Sequence, residues 1–371
     1  MTVQKRLLFS RSSSFFKRCV RHVLTFVYAP KRLCPESVER SLTTLVEMPD
    51  GQHRVVNVKN GRLFTERCFN VSVIKGHSLL ASVSHNFSGK AFYDSVRNKY
   101  GLINRLPRRI DKTVVSLVTG GGGNYNYYHW LFDVIPRLFV LEDSLVIVSS
   151  FKLLVPDNHL PFQVSSLSRL GFHAEDILSS RDYSHCVAKR LIAISHPRAG
   201  SRNQSGSPSA WICERLRDAF MSPEQKNASG NDRLRLYISR VDNTNQRVLV
   251  NESELLNRLA SREFQSVELS KLSFDEQIDL FACAEAVIGV HGAGLSNLVF
   301  APAGCLVIEI AGQSYCPTMF EEIAAHRCHK YSRLLCEQVE NGWPENSKKD
   351  IRLDNEQLVS LVGCLDDYLP V

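Results

Sequence analysis

Apolar and polar positions along the chain follow two different periods, and the predicted elements change where the period changes. Residues 41–118 alternate as extended chain does, in runs such as Arg54–Val58 (RVVNV), Arg62–Glu66 (RLFTE), Phe69–Gly76 (FNVSVIKG) and Ser78–Phe87 (SLLASVSHNF). The apolar, β-branched run Thr113–Val118 then predicts a buried strand that ends at Gly120–Gly123, and helical spacing follows from about Tyr127 to Leu141. Lys152–Val155 (KLLV) reads as the next strand, and a helix around Phe162–Leu170 stops at Gly171. Strand, helix and strand in that order predict a parallel sheet with crossovers.

Between residues 199 and 233 the pattern breaks down. Gly200–Ser209 is loop-like, Ser209–Phe220 forms one predicted helix, and Ser222–Arg233 is polar and rich in breakers, as an interdomain boundary is. Beyond it the alternation resumes cleanly. Leu234–Ser239 (LRLYIS) is a predicted strand, and Asn251 is placed to cap a helix running to about Phe264, with Glu254 three positions on. Ser266–Leu269 reads as a strand. Ser273 and Glu276 form a capping box for a helix to Ala284. Ala286–Val290 (AVIGV) predicts a buried strand, His291–Leu295 a tight turn and Leu295–Ala301 a short helix. Leu306–Ile310 (LVIEI) predicts another strand, followed by a helix near Thr318–His326. Such alternation with short connections means a doubly wound α/β sheet.

The resulting division is a basic arm over residues 1–40, a first domain over 41–220, a second over 221–345 and a helical tail over 346–371. At 371 residues the chain is long enough for two domains of ordinary size. Its net charge of +7 lies wholly in residues 1–40, with nine Lys/Arg against two Glu, and the rest holds 36 residues of each sign. An electrically balanced body argues against nucleic acid as a partner. In the arm, Phe15, Phe16, Cys19, Val20, Val23, Leu24 and Val27 recur at helical spacing among Lys17, Arg18, Arg21 and His22. That pattern fits a basic amphipathic helix on an anionic membrane surface, or equally a helix packed on the body.

Eleven scattered cysteines without C-x-x-C or zinc spacing indicate reduced thiols, no metal site and a reducing compartment. No apolar run reaches the length of a membrane span, and no secretory leader is legible, which points to the cytosol.

Four motifs carry chemistry. In Val290–Asn297 (VHGAGLSN) two glycines allow close approach of a ligand to the backbone, and the following helix would present free N–H groups to an anion. The same glycines would also serve a simple tight turn. Glu309 closes LVIEI, where a carboxylate can accept the hydroxyls of a ribose or lie as a surface acid. Arg240, leaving its strand in Tyr237–Arg240 (YISR), can reach a diphosphate with its planar fork, with Arg247 in support; a surface ion pair is the alternative. In Asn126–Arg137 (NYYHWLFDVIPR), His129, Asp133 and Arg137 share one helical face, although Pro136 would kink or shorten that helix. A histidine oriented by a carboxylate is a working general base, and such a pair can also merely brace a helix.

Together YYHWLFDVIPRL, the YISR stretch, LSFDEQIDLFACAEAVIGVHGAGLSNLVF and LVIEI resemble glycosyltransferase family 61 over roughly residues 110–312. The resemblance implies a GT-B-like α/β architecture, two Rossmann-like doubly wound domains facing a cleft. It implies inversion at the anomeric carbon without a metal or cofactor, a nucleotide-sugar serving as co-substrate. Arg240, Arg247, His291, Gly292, Ala293, Gly294, Leu295, Ser296, Asn297 and Glu309 would then line the donor site. His129 or Asp133 would be the base, and Tyr128, Trp130 and Arg137 would lie on the acceptor side. The chain resembles bacterial members that build surface polysaccharide such as capsule on a glycan or lipid-linked glycan, at the inner face of the cytoplasmic membrane. The absence of Asp-x-Asp agrees with metal independence. A non-catalytic nucleotide-sugar scaffold stays open, and a dinucleotide-dependent oxidoreductase is weakened by the lack of G-x-G-x-x-G after the first strand of the second domain.

Overall fold

The computed structural model describes residues 19–66, 70–86, 105–119, 125–148, 150–156, 159–198, 208–226, 233–241, 247–315 and 317–369. The Gly120–Gly123 run, Phe15, Phe16, Lys17 and Arg18 of the arm, and most of Gly200–Ser209 lie outside them. The chain divides into two compact units: residues 1–160 with 172–206, and residues 161–171 with 207–371.

The first unit holds β1 (Arg32–Leu33), β2 (Thr43–Met48), β3 (Gly51–Glu66), β4 (Asn70–Lys75), β5 (Ser78–Leu79), β6 (His85–Asn86), β7 (Arg108–Ser116), β8 (Lys152–Val155), β9 (Ile177–Ser179) and β10 (His185–Ile194). They form one sheet in the order β1-β5-β4-β3-β10-β7-β8-β9, with β2 on β3 and β6 on β4. Strands β10, β7, β8 and β9 run parallel, with Leu191 opposite Val114 and Leu153 opposite Ile177. The other half is antiparallel apart from β1 on β5, because hairpins join β2, β3 and β4 and β3 runs opposite to β10. The expected doubly wound sheet is therefore realised in only half of this unit. Val56, Val58, Leu63, Val114, Leu154 and Leu191 form its buried cluster. Each such side chain contributes about 1.5–3 kcal/mol on leaving water.

The second unit holds β11 (Leu234–Ile238), β12 (Phe264–Val267), β13 (Ala284–Val290), β14 (Leu306–Gly312), β15 (Lys330–Val339) and β16 (Asp350–Arg352), in the order β12-β11-β13-β14-β15-β16. All neighbours are parallel except β15 and β16. The order reverses direction at β11, between β12 and β13. Ligands of open α/β sheets bind at such a switch point, beyond the carboxyl ends of the strands.

The helix Ala210–Phe220 belongs to this second unit, so the division falls near residue 206 and not at 220. Trp211, Ile212, Leu216 and Phe220 are buried, with Phe220 edge-on to Phe274 at 5.1 Å. Arg217 donates from Nη1 to the carbonyls of Val299, Phe300 and Ala301 at 2.9–3.2 Å, closing the carboxyl end of the 3-10 helix Ala293–Phe300. A cation there complements the helix dipole and steadies the glycine turn at the other end. The helix Asn355–Tyr368 also packs into this unit's core through Leu358, Leu361 and Leu365, so residues 346–371 are no detached tail.

The capping box forms as expected: Ser273 Oγ accepts from Glu276 N at 3.2 Å, and Ser273 N donates to Glu276 at 2.7 Å. Asn251 does not cap in that way. Its amide instead donates to Leu353 O and Glu254, and its oxygen accepts from Leu353 N, tying the helix Glu252–Leu259 to the segment after β16. Among the described residues no helix is long and apolar enough to cross a membrane.

Candidate active site

In the first unit the expected helix over 127–141 is three segments. A helical turn at Tyr127–His129 passes into a π turn, Trp130–Val134, marked by Ile135 N donating to Trp130 O at 3.1 Å. The α-helix Pro136–Asp143 then starts afresh. Proline lacks the N–H that a first helical residue would leave unbonded, so Pro136 opens a helix here instead of kinking one. Asn126 supplies the first cap, accepting from Tyr128 N at 2.9 Å and His129 N at 3.3 Å.

The π turn keeps His129 and Asp133 together, with His129 Nδ1 2.6 Å from Asp133 Oδ2. Asp133 is 1% exposed, and Arg198 binds both its oxygens, Nε at 2.6 Å from Oδ1 and Nη2 at 3.1 Å from Oδ2. Burial pushes the Asp133 pKa up, but Arg198, His196 and His129 outweigh it and hold the group below the ordinary carboxylate range. An ionised carboxylate only accepts, so Nδ1 of His129 donates to it and Nε2 is the outward nitrogen. That Nε2 has no partner among the described residues, and the side chain is 20% exposed.

The surrounding residues depart from the expected roles. Trp130 is fully buried, and Tyr128 is buried with its hydroxyl 3.4 Å from Arg198 Nη1 and its ring beneath that guanidinium. Arg137 turns inward: it donates to Asp133 O, Val118 O and His85 Nε2 at 3.1–3.2 Å and is 1% exposed. None of the three presents its side chain as an acceptor contact would. Burial lowers the pKa of Arg137 to about 10 and that of His196 to about 3. Sequence reasoning passed over Arg198 and His196, which lie more than sixty residues from Asp133 and carry no motif of their own.

In the second unit Arg240 and His291 follow the adjacent strands β11 and β13, paired through Ile238 and Gly289. A Cβ on Gly292 would lie 1.8 Å from Arg240 Nη1, so any larger residue here would have to displace the guanidinium from the turn. Backbone conformation makes no such demand, since Gly292 is extended. A Cβ on Gly294 would meet Leu269 at 2.8 Å. Arg240, Ala293 and Gly294 are half-buried, while Leu295, Ser296 and Asn297 are buried completely or nearly so. Asn297 donates to Gly294 O at 3.2 Å and Gln277 at 2.8 Å, bracing the turn from inside. These last three side chains pack the glycine turn from within.

Glu309 is also buried. Its carboxylate binds His291 Nδ1, accepts from the Tyr331 hydroxyl, and lies 3.0 Å from Arg333 Nε. With both oxygens engaged it orients His291, and the expected ribose contact is not available to it. Tyr331 and Arg333 were not legible as partners, being on a strand rich in charge. Burial lowers the His291 pKa against the pull of Glu309, and Arg247 and Arg240 lower it further. The adjoining cleft is narrow, about 10 Å³, and its lining includes His291, Arg247, Tyr315, Gly312 and Gln338. Arg247 lies over the Tyr315 ring at 5.6 Å. Arg240 and His291 follow the carboxyl ends of adjacent parallel strands with Arg247 near His291, a concentration of positive charge suited to an anion.

The family model described as Glycosyltransferase 61 matches residues 127–308. The chain is 31% identical over 175 residues to the EGF domain-specific O-linked N-acetylglucosamine transferase of Drosophila melanogaster, covering 43% of this chain and 32% of that protein. It is 38% identical over 71 residues to protein O-linked-mannose beta-1,4-N-acetylglucosaminyltransferase 2 of Danio rerio, covering 18% of this chain and 12% of that one. The chain thus spans a third or less of the length of these relatives. Among solved structures, the bacterial iron-containing dodecameric glycosyltransferase TibC aligns over 92% of this chain and 99% of its own, at 12% identity and a TM-score of 0.35.

Proposed function

We propose, from the premise that this chain carries a glycosyltransferase 61 domain and is a glycosyltransferase, that it moves a sugar from a nucleotide-sugar to an acceptor hydroxyl with inversion and without a metal. The observation that carries the donor reading is the Arg240 guanidinium lying against Gly292, beside His291, at the switch point of the second unit. A diphosphate held there by Arg240 and Arg247 has its charge offset as the bond to the sugar breaks, which stabilises the leaving group. In the first unit His129 Nε2 takes the proton of the attacking hydroxyl. The hydroxyl oxygen forms the new bond to the anomeric carbon, and the bond to the nucleotide's phosphate oxygen breaks with its electron pair. Asp133 is engaged by Arg198 and His129 and shielded from solvent, which favours His129 over Asp133 as the base.

The relatives' names share N-acetylglucosamine, so UDP-N-acetylglucosamine is the first donor to test. The acceptor in this reading is a hydroxyl of a glycan, lipid-linked as in surface polysaccharide synthesis or protein-linked as in the relatives' names, and the place of work is the cytosolic side of a membrane. Thermal melting of the chain with a panel of nucleotide-sugars and a metal chelator tests the donor site. A ligand at 100 times its Kd adds about 2.7 kcal/mol. The expected result is stabilisation by one nucleotide-sugar that Arg240→Ala abolishes. Stabilisation by NAD(P) alone would overturn the reading in favour of an oxidoreductase.

A further inference from the structure

Residues 19–28 form a helix with two apolar faces, of which the first unit covers one. Leu24 and Tyr28, one turn apart, pack with Ala29 against Phe64, Ile74 and Leu79. Arg62 fastens the same end, donating to Tyr28 O and lying over the Tyr28 ring. The other face is bare: Val23 is 62% and Phe26 77% exposed, with Val20 and Val27 alongside. At 100° per residue these four positions share one continuous arc of about 120° on the helix.

Positive charge borders this stripe. Lys31 N donates to His77 O at 2.8 Å, and Arg32–Leu33 pair with Ser78–Leu79. Lys31 and Arg32 therefore sit beside the turn that carries Lys75, and all three are exposed. Lys31 Nζ lies 5.2 Å from the Phe26 ring. The nearby acids are engaged elsewhere: Glu36 pairs with Arg40 at 2.6 Å, and Glu39 accepts from Ser82 N at 2.9 Å. Arg21 lies in the first turn of the helix.

We infer that this helix is the docking surface of the chain for an anionic lipid bilayer. Its bare stripe inserts among acyl chains at the headgroup boundary, and Lys31, Arg32 and Lys75 meet the anionic headgroups. One helix stripe two turns long, led by a phenylalanine and bordered by cations, matches an interfacial helix; a protein interface of ordinary size needs a broader surface.

Vesicle flotation of the full chain tests this, comparing phosphatidylcholine alone with phosphatidylcholine mixed with phosphatidylglycerol. The chain is expected to float with the mixed vesicles only, and less so as salt rises. Val23→Glu with Phe26→Glu abolishes flotation, and Lys31→Glu with Lys75→Glu weakens it roughly fivefold or more per charge. Both leave the melting temperature and the nucleotide response unchanged; should the glutamates lower melting, Val23→Ser with Phe26→Ser takes their place. The inference is overturned by failure to bind mixed vesicles, by equal binding to neutral ones, or by flotation that survives the loss of Phe26 and Val23. It is also overturned by a dimer in solution that Phe26→Glu dissociates, since the stripe then serves a second copy.

Discussion

Each unit carries a histidine bound through Nδ1 to a buried carboxylate that an arginine also holds, and the two clusters differ in what surrounds the outward nitrogen. In the first, Arg198 binds Asp133 through two nitrogens, and the histidine side chain is 20% exposed. In the second, Glu309 is shared among His291, Tyr331 and Arg333, and the histidine is 5% exposed beside Arg240 and Arg247. The same pair of groups is thus set for different work. His129 shares Asp133 with Arg198 and keeps Nε2 without a partner among the described residues, as a base would. His291 sits in positive potential that suits an anion, and a bound diphosphate would raise its pKa and draw a proton onto Nε2.

The largest test of that difference is kinetic. His129→Ala is expected to lower kcat by about 10²–10⁴-fold with donor affinity nearly intact. His291→Ala is expected to raise the donor KM while kcat falls far less. Steady-state kinetics of both variants decide the matter: equal losses in kcat would erase the distinction, and normal turnover in His129→Ala would remove it from the mechanism.

Stability offers the next contrast. Arg198→Ala leaves Asp133 buried without its main countercharge, which costs about 3–5 kcal/mol. Arg333→Ala leaves Glu309 the hydroxyl of Tyr331 and the ring of His291, so a smaller loss is expected. Chemical denaturation that ranks Arg333→Ala as the more damaging would show that Glu309, and not Asp133, depends on its arginine.

Both clusters were half legible for the same physical reason. His129 and Asp133 are four residues apart on helical chain, while His291 follows one apolar strand and Glu309 lies within the adjacent one, and their apolar runs announce both strands. Local period carries such information. Arg198, Tyr331 and Arg333 arrive from strand ends that only the tertiary fold brings near, so no spacing marks them. The π turn was hidden because its i→i+5 bond has no distinct residue pattern, yet it leaves the helical pairing of His129 with Asp133 intact. The glycine turn was legible as a turn, but which of its side chains face inward was not. A short mixed run such as Leu295–Asn297 has too few positions for a period to show which side faces inward.

The first unit should also be sensitive to mild acid. Burial holds His196 at about 3 and His85 well below 6.5, so both are neutral when folded. An unfolded chain protonates them near pH 6.5. The stability they contribute is present above that pH and is lost as pH falls toward their folded values, by about 1.4 kcal/mol per pH unit for each histidine. Asp133, depressed by Arg198, adds its own loss only below about pH 4. Melting between pH 7 and 5 should show His196→Asn with a shallower slope than the parent chain. An unchanged slope would mean that His196 is protonated in the folded state.

The smallest expected effect probes the second cluster alone. Gly292→Ala places a methyl where Arg240 Nη1 now lies, and a long side chain yields more readily than backbone. The fold should therefore survive with melting little changed, while Arg240 is displaced from the turn and donor affinity falls by roughly tenfold, near the lower end of what a charged hydrogen bond contributes. In Arg240→Ala the methyl has nothing to displace, so adding Gly292→Ala should cost almost nothing further. Titrating the donor into the four chains measures that coupling. Additive losses would mean that the glycine serves the turn by itself, and that the contact with Arg240 is not what holds the diphosphate.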